Sequence, residues 1–289
     1  MGDGERIFIV GCGDIGQRVA ALESKEGRRV QGMARSDDVA RRLASLGIEP
    51  IRADLDHAVS LRDVPTQGAT LYYFAPPPAA GAGDPRLDIF LQAITPRLPI
   101  RIVYISTSGV YGDCGGAWID ELHPLNPITD RAKRRMAAES LLENWSDTTG
   151  VNVVVLRVPG IYGPGRLPFE RIRAGRPVVT EAESPYSNRI HANDLARVCQ
   201  IAGRHGDATG VYNVSDGHPT TMTDYFNRVA DAVGLPRPPQ VSMAEARRML
   251  DPATLSFLEE SKRLVIKRMR ESLGVDLLYP TLAEGLLAC

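Results

Sequence analysis

The sequence predicts an α/β fold: a doubly wound parallel sheet with a small C-terminal mixed and helical lobe. Two observations carry that prediction. Short runs of β-branched and apolar residues alternate with amphipathic helical stretches as far as residue 214. Such alternation builds a parallel sheet, because right-handed crossovers place helices on both of its faces. The motif Gly11-x-Gly13-x-x-Gly16 also stands between the apolar run Ile7-Phe8-Ile9-Val10 and a helical pattern. That is the context in which a glycine loop cradles phosphate.

Strands are expected at residues 6–10, 29–33, 48–52, 69–75, 101–106, 151–158 and 210–214. The helical stretch 14–24 gathers Ile15, Val19 and Leu22 on one face. Residues 37–46 do the same with Val39, Leu43 and Leu46, Ser36 serving as N-cap and Gly47 closing the helix. Asp84-Pro85 reads as a cap followed by an N1 proline, opening a helix that turns Leu87, Phe90, Leu91 and Ile94 inward. In 130–148, Ala138, Leu141, Leu142 and Trp145 fall together, and Gly150 ends the helix. After about residue 160 the loops fill with Gly and Pro, among them Pro164, Pro168, Pro177 and Pro185. Capping boxes follow at Ser242-x-x-Glu245 and Thr281-x-x-Glu284, and another cap with N1 proline at Asp251-Pro252. The expected division is a Rossmann core over 1–160 and lobe elements over 161–289, with strands and helices returning to the sheet.

Composition narrows the function. A formal net charge of −1 over 289 residues lacks the basic surplus of a nucleic-acid binder. No apolar run approaches the ~20 residues of a membrane helix. The start Met-Gly-Asp-Gly-Glu-Arg has no signal-peptide pattern. Met1-Gly2 lacks the Ser or Thr at the sixth position that myristoylation requires. Cys12, Cys114, Cys199 and Cys289 form no CxxC pair, so reduced thiols in a cytoplasmic protein without a metal site are expected.

The glycine loop assigns a cofactor. Gly11 permits the tight turn, Gly13 lets the backbone approach a pyrophosphate, and Gly16 lets helix and strand pack. Asp14 and Ile15 open the helix whose N-terminus faces the negative charge. The second strand ends Ala34-Arg35-Ser36, with no acid before Asp37. An NAD site usually places an acid there for the ribose hydroxyls. Arg35 can instead pair with a 2′-phosphate, and the Ser36 hydroxyl can add a hydrogen bond. NADP(H) is therefore expected over NAD, with Asp37 and Asp38 serving the helix N-terminus.

Ile105-Ser-Thr-Ser-Gly-Val-Tyr-Gly112, Arg157-Val-Pro-Gly-Ile-Tyr-Gly-Pro-Gly-Arg166 and Arg189-Ile-His-Ala-Asn-Asp-Leu-Ala196 resemble motifs of the extended short-chain dehydrogenase/reductases, the NAD-dependent epimerase/dehydratase group. The resemblance runs in order from residue 6 to about 285. It implies that Asp54 and Leu55 sit by the adenine and that Ala75 and Pro76 pass the ribose or nicotinamide side. It places Pro159, Gly160 and Ile161 at the nicotinamide. Thr107 would hydrogen-bond a substrate oxygen, with Ser106 and Ser108 beside it. Arg189 matches the arginine that binds the diphosphate in relatives acting on nucleotide sugars. The implied substrate is a small polar molecule, a nucleotide sugar among the options, and the implied assembly a homodimer. Thr107 can equally just finish a strand, Arg189 can be a surface residue, and His191 reads as a structural histidine as readily as a substrate contact.

The chain departs from the family at its usual Tyr-x-x-x-Lys pair. Anchoring on Glu139 puts Arg131 at the tyrosine position and Arg135 at the lysine position. The rival register, Thr129-x-x-x-Lys133, also lacks the tyrosine. A guanidinium stays protonated in proteins, so Arg131 cannot serve as a general base. It can stabilise an oxyanion or grip a phosphate or carboxylate, and Arg135 can replace the lysine at the ribose. A cationic helix face is the alternative reading for both. Tyr111, Tyr162, His123 and His191 are the remaining titratable groups near the motifs, and the sequence places none of them at a substrate oxygen. Ser261-Lys-Arg263 and Leu278-Tyr-Pro-Thr-Leu-Ala-Glu-Gly285 resemble C-terminal signatures of an atypical, sugar-nucleotide epimerase-like branch. The expected function is an NADP(H)-dependent oxidoreductase or epimerase-like activity with a non-standard acid–base arrangement. The alternative is a non-catalytic NADP(H)-sensing or binding protein.

Overall fold

In the computed structural model, which describes residues 5–289, every strand expected from the sequence joins one parallel sheet. The strands are β1 (Arg6–Val10), β2 (Arg29–Ala34), β3 (Glu49–Arg52), β4 (Ala69–Tyr73), β5 (Arg101–Thr107), β6 (Asn152–Val158) and β7 (Gly210–Asn213). Their order is β7-β6-β5-β4-β1-β2-β3. Met1 and Gly2, on which the leader and myristoylation readings rest, lie outside the described residues.

Period-two alternation explains the layers. Ile7, Ile9, Tyr72, Val103, Val154 and Leu156 point to one face of the sheet. Phe8, Val10, Leu71, Tyr73, Ile102, Tyr104, Val153 and Val155 point to the other. Both faces are apolar because helices cover both, as a parallel sheet requires. On the first face lie α1 (Asp14–Lys25), α2 (Asp37–Ser45) and, later in the chain, α6 (Ala192–Arg204). On the second lie α3 (Pro85–Ile94) and α4 (Asp130–Thr149).

The helix ends follow the sequence signals. Ser36 accepts from Val39 N, Asp84 from Leu87 N and Thr129 from Ala132 N, while Gly150 closes α4 in the left-handed region at φ 73°. Two expectations need correction. Leu46 is not on the buried face of α2 but 51% exposed, because it forms the C-cap after the last helical turn. β4 stops at Tyr73 instead of running to Ala75, since Phe74 N and Ala75 N both turn to Val10 O, at 2.7 and 3.2 Å.

Beyond residue 160 the chain alternates between sheet and lobe. α6 and β7 complete the sheet, while α5 (Phe169–Arg173), α7 (Met222–Ala232), α8 (Met243–Met249), α9 (Pro252–Leu258), α10 (Lys267–Ser272) and α11 (Leu282–Leu287) follow among short strands. The lobe has its own apolar clusters, one around Tyr162, Tyr225, Phe226 and Val229, another around Val179, Ala246 and Leu258. Strand order reverses between β1 and β4, and ligands bind outside the carboxyl ends of the strands at such a switch point. Among the described residues, no helix is long and apolar enough to cross a membrane.

Candidate functional site: a dinucleotide cleft and an adjoining cationic cavity

The three fingerprint glycines have three different physical reasons. Gly11 takes φ +93°, and a Cβ there would stand 2.5 Å from Ala75 N. A Cβ on Gly16 would stand 2.7 Å from Gly11 O, so helix and strand can approach only without it. At Gly13 a Cβ would meet nothing within 4 Å. No protein neighbour explains this glycine. Its bare backbone faces open space at the start of α1, which fits a dinucleotide pyrophosphate.

A cavity of about 430 Å³ continues from that loop across the ends of β1, β2 and β4. Gly11, Gly13, Arg35, Asp54, Leu55, Ala75 and Pro76 line it, and so do Arg42, Asp56 and Arg86. Arg86 holds Asp56 through two hydrogen bonds, at 2.6 and 2.5 Å, neutralising that acid at the rim. Arg42 lies one turn beyond Val39 on α2, and both line the cavity, a position the strand-end reading does not reach. Ser36 itself is engaged as the α2 cap at 3.3 Å. Ile15 packs into the core. Asp14 is bracketed by Arg18 at 2.8 Å and Arg166 at 2.5 Å. Partial burial pushes its carboxyl up, but the hydrogen bonds from the two arginines outweigh this and hold it low.

A second cavity of about 270 Å³ opens between the ends of β5 and β6 and the lobe. Thr107, Ser108, Arg131, Pro159, Gly160 and Arg189 all line it, converging from four distant segments. Thr107 ends β5, and its Oγ1 accepts from Gly109 N at 3.2 Å to start the next turn. Arg131 leaves the first turn of α4 and lies 4.7 Å above the Phe257 ring of α9.

Arg189 is the most unusual of these side chains. It is only 8% exposed, lies 3.6 Å from the centroid of the Tyr225 ring, and donates to Ser187 Oγ at 2.8 Å. Its Nε has no partner, and among the described residues no carboxylate pairs with it. Burial lowers its pKa, against the attraction of Tyr225 and Asp216. An unpaired buried charge is costly. Gly160 leaves the guanidinium room, since a Cβ there would stand 3.0 Å from Arg189 Nη1.

Sequence reasoning did not single out Lys262 and Glu260, which line the same cavity. Lys262 is 5% exposed, and its Nζ donates to Gly112 O at 2.6 Å and Glu260 Oε2 at 2.7 Å. The only signal was the Ser261-Lys-Arg263 signature, which carried no position in space. Tyr186 stands on the rim, its ring 4.6 Å beneath the Arg263 guanidinium.

Other expected site residues sit elsewhere. Arg135 Nη1 donates to Tyr104 Oη and Ile105 O, both at 2.9 Å, and lines neither cavity. His191 is fully buried between the rings of Tyr162 and Tyr279, and its Nδ1 accepts from Asn193 N at 3.3 Å to cap α6. Ile161 packs on the core. Tyr111 donates to Asn213 Oδ1 at 2.7 Å and accepts from Arg157 at 2.9 Å, and burial pushes its phenol up to about 12. Burial likewise raises Tyr162. Glu139 pairs with Arg157 at 2.7 Å and accepts from Ser106 Oγ, tying α4 to the ends of β5 and β6.

A glycine fingerprint at the switch point of a doubly wound parallel sheet defines a Rossmann-type NAD(P)-binding protein. Residues 87–215 match the family described as the NAD dependent epimerase/dehydratase family. A solved structure of a functionally unknown conserved protein from Silicibacter pomeroyi is 32% identical, covers 98% of this chain and 97% of its own, and superposes with a TM-score of 0.83. Protein YeeZ of Escherichia coli is 28% identical over 96% of this chain and 97% of its own. MoeE5, solved with UDP-glucose and NAD, is 21% identical over 99% of this chain and 97% of its own, with a TM-score of 0.75, and shares the fold. The chain belongs to the NAD-dependent epimerase/dehydratase family of extended short-chain dehydrogenase/reductases.

Proposed function

We propose that this chain is an NADP(H)-dependent oxidoreductase or epimerase-like enzyme acting on a small anionic substrate. The observation that carries the reading is Arg189, a nearly buried guanidinium without a carboxylate, in a cavity it shares with Thr107, Ser108 and Arg131. Preference for NADP(H) is supported by Arg35 and Arg42, which line the cofactor cavity where an acid would serve NAD, while Asp56 is neutralised by Arg86.

When bound, the dinucleotide supplies or accepts a hydride. Gly11 and Gly13 would hold its pyrophosphate, Arg35 and Arg42 its ribose phosphate, and Pro159 and Gly160 would border the nicotinamide. Thr107 and Ser108 orient the substrate oxygen, and Arg131 and Arg189 hold its negative charge. Lys262, whose Nζ is held between Glu260 Oε2 and Gly112 O at the edge of the same cavity, adds a third cation to that lining. The family tyrosine is absent, and Tyr111 and Tyr162, which do not line this cavity, are buried with raised phenol pKa values, so neither ionises to act as a base near neutral pH.

Calorimetry with NADPH and NADH tests the cofactor half. Arg35→Ala is expected to weaken NADPH at least tenfold and leave NADH unchanged, since charged hydrogen bonds contribute about 1.5–3 kcal/mol. Turnover of the NADPH-loaded protein across nucleotide sugars, sugar phosphates and keto acids tests the other half. No turnover with any class, together with unequal affinities for NADP+ and NADPH, would replace the enzyme by a redox sensor. The buried tyrosines favour that second reading.

A further inference from the structure

A third cavity, of about 180 Å³, lies against the cationic one and is lined mainly by apolar side chains, with Arg171, Thr223 and Thr254 as its polar members. Val178, Val179, Phe226, Leu250 and Leu258 are among its apolar lining. Met222 and Phe257 line both cavities, so the partition between them includes a flexible thioether and a phenyl ring. Both partition residues also touch the cationic groups. Met222 Sδ accepts from Arg189 at 3.6 Å, and Phe257 lies beneath Arg131. A flexible thioether repositions at small energetic expense.

The cationic side carries Arg131, Arg189 and Lys262 against Glu260 alone, whereas few polar groups on the apolar side are uncommitted. Thr223 Oγ1 donates to Val179 O at 2.7 Å and Thr254 Oγ1 to Asp251 Oδ2 at 2.8 Å. Arg171 donates to Pro177 O at 3.0 Å, leaving its Nε without a partner. A nucleobase edge, with alternating donors and acceptors, would lose hydrogen bonds to water here and recover few. Each group left unmatched there weakens binding. An apolar cavity of similar volume accepts a single benzene-sized ring.

We propose that the substrate is an anion bearing one compact apolar group, about the size of a six-membered ring. The anionic end sits on Arg189 and Arg131, and the apolar end displaces the Met222–Phe257 partition to fill the cavity between α7 and α9. This rests on the anion-binding reading above and adds to it the chemistry of the other end. It also distinguishes the pocket from one built for a nucleotide.

The test is calorimetry on the NADPH-loaded protein with methyl phosphate, phenyl phosphate and UDP. Phenyl phosphate is expected to bind at least tenfold more tightly than methyl phosphate and more tightly than UDP. Thr254→Phe, which fills the apolar cavity while keeping the backbone cap of α9, should abolish that gain and leave methyl phosphate unchanged. The wild-type ligand series decides the matter even if the variant fails to fold. Equal affinities for the two esters would overturn the apolar half alone. UDP binding as tightly as phenyl phosphate would overturn the choice against a nucleotide. If no ester binds, the anion site itself falls, and the proposal with it.

Discussion

At the scale of single residues, Asp216 has a cost that pH should reveal. It is 2% exposed, its Oδ1 accepts from His218 N at 2.9 Å, and its own N–H donates to Arg189 O at 2.8 Å. Burial pushes its carboxyl up to about 6, against the attraction of His218 and Arg189. The native state therefore holds this proton to higher pH than the unfolded chain does. Between the ordinary aspartate range and about pH 6, folding takes up a proton, and stability falls as pH rises through that window. The loss, complete above about pH 6, is of order 2–3 kcal/mol at about 1.36 kcal/mol per unit. Asp216→Asn keeps the acceptor oxygen and removes the ionisation. Urea denaturation at pH 4.5 and 7 should show the wild type losing more stability across that interval than the variant. Equal losses would mean that Asp216 titrates normally.

At the scale of elements, α4 shows how a single helix face divides its work. Arg131, Arg135 and Glu139 recur every fourth residue, so one stripe meets the cavity, then the β5 backbone, then Arg157. Removing one partner of a buried ion pair leaves an uncompensated charge and costs about 3–5 kcal/mol. Glu139→Gln and Arg157→Met should each destabilise by about that amount in chemical denaturation. The double variant should lose less than their sum, because the second change removes the charge the first left behind. Strict additivity would mean the pair is not a coupled unit. The elements themselves are legible because their signals are local: continuous β-branched and apolar runs for the strands, and Ser36, Asp84, Thr129 and Gly150 for the helix ends. The partners of this stripe are not. Arg135 finds Tyr104 and Ile105 across the β5–α4 contact, and no spacing within α4 encodes that. Lys262 escaped for the same reason, since its partner Gly112 is far earlier in the chain.

At the scale of the whole molecule, core and lobe meet on the fingerprint loop itself. Asp14 opens α1 immediately after Gly13, and a carboxylate in the first helical turn complements the helix dipole. The same charge opposes a pyrophosphate approaching that turn. Arg18, from within α1, and Arg166, from the loop entering the lobe, bracket the carboxylate at 2.8 and 2.5 Å. Arg18 also donates to Asn193 Oδ1 at 2.5 Å, coupling α1 to α6. The lobe thus contributes a cation to the electrostatics of a site whose glycines lie entirely in the core. This coupling separates two roles for Arg166. If it acts by neutralising Asp14, Arg166→Ala should weaken NADPH about three- to tenfold in calorimetry, and adding Asp14→Asn should restore most of the affinity. The deficit of the single variant should also shrink as salt is raised, because these side chains are partly exposed and their field is screened. If the double variant binds as weakly as Arg166→Ala alone, Arg166 acts on the dinucleotide directly, and the neutralising role is wrong.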